Sequence, residues 1–245
     1  MFHTSSPIRL TEALVHANQH RQLQHKTGSE PVPPAFTVAL SREAGTYGAA
    51  IAREVGNRLG WPVYDSELLQ RVAKDLGVRR NLVESVDERQ VGWLTECLEA
   101  LSSAPTFSQS AYVRHLVETV LALAAHGDCV IVGRGATKLL PQATTLRVRV
   151  LAPLEHRVEA VRREHGISRQ EAARRVEATD RARDRFVKEH FQMDPADPRN
   201  YDLVLNVARF SLEECVALII AALNCLRAPR TTGGPPQSVA AAADL

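Results

Sequence analysis

Three stretches of this chain place residue types at spacings that could act on an anion. The first is Gly133-Arg134-Gly135, directly after the apolar run Cys129–Val132. An arginine between two glycines is seldom a packing residue, and the carboxyl end of a buried strand is where open α/β sheets bind ligands. The second is Asp180-Arg181-Ala182-Arg183-Asp184-Arg185. On a helix, Arg181 and Arg185 face the same way and could fork onto one polyphosphate; the alternative is an exposed helix laced with Asp–Arg pairs. The third is the segment Ser41 to Ala50, which follows an apolar run and leads into a helix start. Gly45, Thr46, Tyr47, Gly48 and Ala49 make a small-residue turn whose backbone N–H groups can converge on a phosphate. The segment lacks the lysine of G-x-x-x-x-G-K-[ST]. Arg42 could supply part of the missing charge, or pair with Glu43; a plain strand–turn–helix connection is the bland reading. Asp65, Ser66 and Arg71 read by themselves as a helix cap followed by a surface arginine.

The elements that must position these groups are legible as alternating strand and helix patterns. Strands are expected at Phe36–Leu40, Trp61–Tyr64, Cys129–Val132, Leu146–Leu151 and Leu203–Val207, several of them nearly continuous in apolar residues, as for parallel strands covered on both faces. A helix beginning near Ala49 carries Ile51, Val55 and Leu59 on one stripe and stops near Gly60; Leu68, Leu69, Val72, Ala73 and Leu76 form another stripe. Ser168 with Glu171, and Ser211 with Glu214, have the spacing of capping boxes. The pattern predicts a doubly wound α/β domain with a five-stranded, mostly parallel sheet over residues 35–227, and a helical insertion over about 66–126. Residues 1–34 read as an appendage ending in a Pro-rich linker, and 228–245 as a disordered tail.

Composition narrows the classes. The 245 residues are 44% hydrophobic and 24% charged with a net charge of +2, too balanced for general nucleic-acid binding. The basic stretch 157–176 is interleaved with glutamates and reads as a solvated helix face. The cysteines, at 97, 129, 215 and 225, form no C-x-x-C pair. No histidine completes a metal or triad spacing, so no metal ligands and no disulfide framework are expected, and a reducing cytoplasm fits. No apolar stretch approaches the roughly 18 residues of a membrane span.

Taken in order, SREAGTYGAAIA, WPVYDSELLQRVA, CVIVGRGATKLLP and the helix-rich stretch to DPRNYDLVLN resemble the cytidylate kinase-like family of P-loop proteins, over roughly residues 36–226. The resemblance implies a three-layer P-loop kinase-like fold with an acceptor-side insertion and a lid over about 178–200. It places Gly48, or with the register moved by one Ala49, at the phosphate-binding lysine, and Ala50 where a Ser or Thr would face magnesium. Ser41, Arg42, Gly45, Thr46, Tyr47, Gly48, Ala49 and Ala50 would then hold a nucleoside triphosphate. Asp65, Ser66, Arg71 and Arg134 would hold the acceptor, with Glu67 and Gly135 departing from the glycine and aspartate of true cytidylate kinases. Arg134, Arg181, Arg183 and Arg185 would neutralise the transferring phosphoryl group. The implied activity is phosphoryl transfer from ATP with Mg2+ to a nucleoside monophosphate, cytidine monophosphate first, or a similar small acceptor. A non-catalytic nucleotide sensor and a kinase for a different small acceptor stand as alternatives.

Overall fold

The computed structural model describes residues 35–75, 82, 86 and 111–228. The amino-terminal appendage, the carboxy-terminal tail beyond 228, most of the insertion, Trp93 and Cys97 lie outside them. The described strands are β1 (Thr37–Arg42), β2 (Val63–Tyr64), β3 (Cys129–Val132), β4 (Thr145–Leu151) and β5 (Leu203–Asn206). The helices are α1 (Gly48–Leu59), α2 (Ser66–Lys74), α3 (Ala111–His126), α4 (Ala136–Leu139), α5 (Leu154–His165), α6 (Arg169–Phe191) and α7 (Leu212–Arg227).

All strand pairs are parallel, in the order β2-β3-β1-β4-β5. The sheet is therefore the expected one, in an α/β fold with helices on both of its faces. Alternation along β1 sends Ala39 into one apolar layer, with Leu69, Val72, Leu121 and Ile131 from the α2–α3 side. Val38 and Leu40 enter the opposite layer, with Ile51 and Val55 of α1 and Val216, Ile219 and Leu223 of α7. Cys129 and Cys215 are buried in these layers. Among the described residues, no helix is long and apolar enough to cross a membrane.

Strand β1 extends two residues past the expected Leu40, because Ser41 and Arg42 continue the ladder opposite Arg149 and Val150 of β4. The difference matters: β1 lies between β3 and β4, so its carboxyl end is the point from which successive connections depart in opposite directions, the usual ligand crevice of such sheets. Arg42 stands there. Helix α1 starts at Gly48 rather than Ala49, after Tyr47 turns left-handed (φ 53°), and ends at Gly60 (φ 68°). Of the two capping boxes, the one at Ser211 is complete. At Ser168 only one half forms, its hydroxyl accepting from the Glu171 N–H at 3.2 Å.

Candidate phosphate-binding cleft

The turn between β1 and α1 is tied down from both sides. Glu43 N–H donates to Val150 O at 3.1 Å, and the fully buried Thr46 hydroxyl donates to Glu43 O at 2.8 Å. Gly45 has φ +77°, and a Cβ there would stand 2.5 Å from the Arg157 carbonyl oxygen, so the turn rests directly on the first turn of α5. Among the described residues, the N–H groups of Gly45, Thr46, Tyr47, Gly48 and Ala49 meet no acceptor. That leaves a row of donors at a helix start, the arrangement that receives an anion.

An ion network secures the other flank. Arg149, on β4 and 9% exposed, donates to Ser41 Oγ at 2.9 Å and pairs with Glu43 at 3.4 Å. Arg157 on α5 pairs with Glu43 at 3.2 Å and with Asp180 on α6. Asp180 Oδ1 in turn accepts from Ala44 N–H at 2.7 Å, while Ala44 itself packs with Val158, Val161, Ala172 and Val176. These carboxylates are spent on Arg149 and Arg157.

The arginines deeper in the cleft have no such partners. A cavity of about 290 Å3 at the carboxyl ends of β1 and β3 is lined by Arg42, Arg134, Arg183, Asp184, Phe186 and Met193, among others. Among the described residues, Arg42, Arg134 and Arg183 form no ion pair. Arg183 donates to Arg42 O at 3.3 Å. Arg134 lies 5.1 Å from the centre of the Phe186 ring, and its buried Nε has no hydrogen-bond partner. Burial, with Arg183 and Arg134 close by, pulls Arg42 down to about 10, Asp65 acting the other way. Burial also lowers Arg183, Asp180 opposing and Arg134 and Arg149 reinforcing it. Three guanidiniums thus share one cleft without a paired carboxylate among the described residues, a concentration of positive charge of the kind that attracts anions.

The backbone under Arg134 is also unusual. Gly133, Arg134 and Gly135 have φ of +79°, +55° and +74°. Two glycines tolerate this; an arginine in the left-handed region costs about 1–2 kcal/mol, the kind of strain that collects at functional sites. A side chain at Gly135 would run into the Phe191 ring.

The structure brings together Ser41, Arg42, Arg134, Arg183 and Ser66 along one cleft. It does not bring Arg181 and Arg185 there. They line a separate open groove between α5 and α6, and Arg181 pairs with Glu177 at the surface, because residues two apart on a helix point to different sides and Arg183 takes the inward one. Asp65 caps α2, accepting from the N–H groups of Glu67 and Leu68 at 3.0 and 2.9 Å, and Arg71 pairs with Glu67 at 2.7 Å on the outside. Sequence reasoning missed Arg149 and Arg157, and gave Asp180 no role beyond pairing with the arginines of its own helix. One signal existed: Thr145–Leu151 reads TLRVRVL, and a charge inside an otherwise apolar strand must find a partner.

A profile of the cytidylate kinase-like family matches residues 37–209. A cytidylate kinase from Methanopyrus kandleri is 34% identical over 112 residues, which are 42% of this chain and 58% of that protein. A uronate isomerase from Corynebacterium glutamicum is 27% identical over 159 residues, 62% of this chain and 30% of that protein. The chain thus spans less than two thirds of either curated relative. Among solved structures, an uncharacterized protein from Eubacterium ventriosum superposes with a TM-score of 0.63 at 21% identity, over 78% of this chain and 99% of that one, a likeness of fold. The profile runs from the first residue of β1 to just past β5, taking in the turn, the strained arginine and α6, and by that match the chain belongs to the cytidylate kinase-like family.

Proposed function

We propose that this protein is a phosphotransferase that moves a phosphoryl group from a nucleoside triphosphate, ATP first, to a small phosphorylated acceptor. The observation that carries the reading is the convergence of Arg42, Arg134 and Arg183 in one cleft without carboxylate partners among the described residues. Phosphoryl transfer needs little covalent help from the protein; positioning and neutralisation of charge supply most of the rate. In this reading Arg134 and Arg183, which line the cavity, neutralise the transferring group, and the N–H row of residues 45–49, without acceptors among the described residues, holds the triphosphate. Arg181 and Arg185 have no part in this arrangement. A nucleoside monophosphate is the proposed acceptor, with cytidine monophosphate the first to try. Weak discrimination among bases is expected, since Phe191 excludes a carboxylate at Gly135.

Magnesium neutralises triphosphate charge in such reactions. Among the described residues no three His, Cys, Asp or Glu side chains are grouped to hold a metal ion, and Ala50 offers no oxygen. That donor set suits magnesium held mainly by phosphates and water with at most one or two carboxylates. Asp184, which lines the cleft and forms no ion pair among the described residues, is the carboxylate in place.

The test is turnover of ATP with magnesium against a panel of nucleoside monophosphates, followed by Arg134→Ala and Arg183→Ala. Each substitution should lower the rate by roughly a hundred- to a thousandfold. Turnover indifferent to both would remove the cleft from the reaction. Triphosphate binding without turnover on any acceptor would favour a nucleotide sensor, a reading to which the missing lysine and the Asp180 bond to the turn lend weight.

A further inference from the structure

The side chain of Arg42 takes a particular course. Its Cβ and Cγ pass over the first residue of α1, where a Cβ on Gly48 would stand 2.7 and 3.0 Å from them. Its far end reaches the β3–α4 turn, where a Cβ on Gly133 would stand 2.5 Å from Nη1. The stem thus fills the volume that a side chain at position 48 would need, and the guanidinium ends beside Arg134 in the cleft. Gly48 has an ordinary helical backbone and needs no glycine for its φ. Both close approaches to a side chain there come from Arg42, Thr46 Oγ1 standing at an ordinary 3.5 Å.

We propose that Arg42 and Gly48 are one exchanged pair: the cation that binds the oligophosphate is delivered from the end of β1 by Arg42, and position 48 is bare so that the arginine can cross it. The inference rests on the reading of the cleft as a phosphate site. It makes the cation and the turn exclusive alternatives: a lysine at 48 and an arginine at 42 cannot occupy the same space. Restoring the lysine alone is therefore harmful, whereas moving the charge restores function. The exchange must be Arg42→Gly rather than Arg42→Ala, because alanine keeps the Cβ that stands 2.7 Å from the Cβ of residue 48.

Calorimetric titration of the full chain with inorganic tripolyphosphate, and with ATP and magnesium, tests this, alongside thermal unfolding of each ligand-free variant. Arg42→Gly should weaken binding by roughly ten- to a hundredfold, the loss of one charge-assisted contact. Gly48→Lys should lower the melting temperature and bind no better than the wild type. The double variant Arg42→Gly/Gly48→Lys should bind more tightly than Arg42→Gly and melt above Gly48→Lys. If Arg42→Gly does not fold, Arg42→Gln, which keeps the stem over Gly48, should show the same loss of binding. Undiminished binding in Arg42→Gly or Arg42→Gln, or a double variant no better than the worse single one in both measurements, overturns the exchange. Arg134→Ala and Arg183→Ala separate the two readings: if they weaken binding while Arg42 variants do not, the cleft remains a phosphate site and the exchange falls. If none weakens it, or the wild type binds neither probe, both fall.

Discussion

Asp180 and Arg181 are neighbours on α6, yet their removal should have unlike consequences. Asp180 accepts the Ala44 N–H at 2.7 Å and pairs with Arg157. Ala44 is 8% exposed, so Asp180→Ala leaves its N–H without water or partner, a loss of about 1–3 kcal/mol. Arg157, whose side chain is 11% exposed, loses one of its two carboxylates but keeps Glu43 at 3.2 Å. The penalty for stranding a buried charge is thus only partly incurred, and the total should be about 2–4 kcal/mol. Arg181 and Glu177 are 64% and 67% exposed. Arg181→Ala, or the double variant with Arg185→Ala, should cost no more than about 0.5 kcal/mol per site.

Urea unfolding at neutral pH, with midpoints compared at equal slope, separates these values. Asp180→Asn adds a finer cut: its side-chain carbonyl can still accept from Ala44, so it should fall between wild type and Asp180→Ala, the remainder measuring charge. Asp180→Ala within about 0.5 kcal/mol of Arg181→Ala would refute the view that α6 anchors the turn. The same double Arg181/Arg185 variant should also leave tripolyphosphate binding intact, since both side chains lie in the outer groove.

Two further outcomes follow from single contacts. Gly135→Ala should cost more than Gly166→Ala: both positions have positive φ and share a left-handed penalty of about 1–2 kcal/mol, but a Cβ at Gly166 meets nothing within 4 Å while one at Gly135 meets the Phe191 ring; equal losses in urea unfolding would contradict this. Arg147 holds Asp202 through Nη2 at 2.6 Å, Nε at 3.1 Å and its backbone N–H at 2.8 Å. Burial raises the Asp202 carboxyl, but these bonds together outweigh it and leave the group below the ordinary aspartate range. A depressed folded value stabilises above the unfolded pKa, about 3.9, and the benefit is lost as pH falls through the folded one. The stability gap between wild type and Asp202→Asn should therefore shrink as the pH drops below about 4, and a gap independent of pH down to acid unfolding would refute the assignment.

The sheet was legible because its cause is local: buried parallel strands need apolar runs, and these run unbroken through Val38–Leu40 and Cys129–Val132, and through Val148–Leu151 with Arg149 as the one interruption, with helical stripes between them. The turn at Arg134 was legible too, because its flanking glycines mark a backbone that ordinary residues avoid. The choice among Arg181, Arg183 and Arg185 was not. All three lie within five residues of one helix, and which one turns inward depends on how Ala172 and Val176 dock against Val158 and against Ala44, the latter a contact made across more than a hundred residues of chain. Asp65 shows the reverse case, where its bonds to the Glu67 and Leu68 N–H groups are those of an ordinary helix cap.

Arginine rather than lysine at the end of β1 has a physical reason in the same electrostatics. The pull of burial and of Arg183 and Arg134 brings Arg42 down to about 10, which leaves it charged at neutral pH. The same pull on a lysine, whose ordinary pKa of about 10.4 is lower, would bring it closer to neutral pH. A cleft built from several crowded cations can keep its full charge only with the side chain that does not surrender its proton. A lone lysine in a phosphate-binding turn faces no such crowding, because its positive neighbours are backbone N–H groups with partial charges. Moving the cation from the turn to the strand end therefore changes both its partners and the residue type that can serve. Gly48, left bare under the arginine stem, is the mark of that change in the sequence.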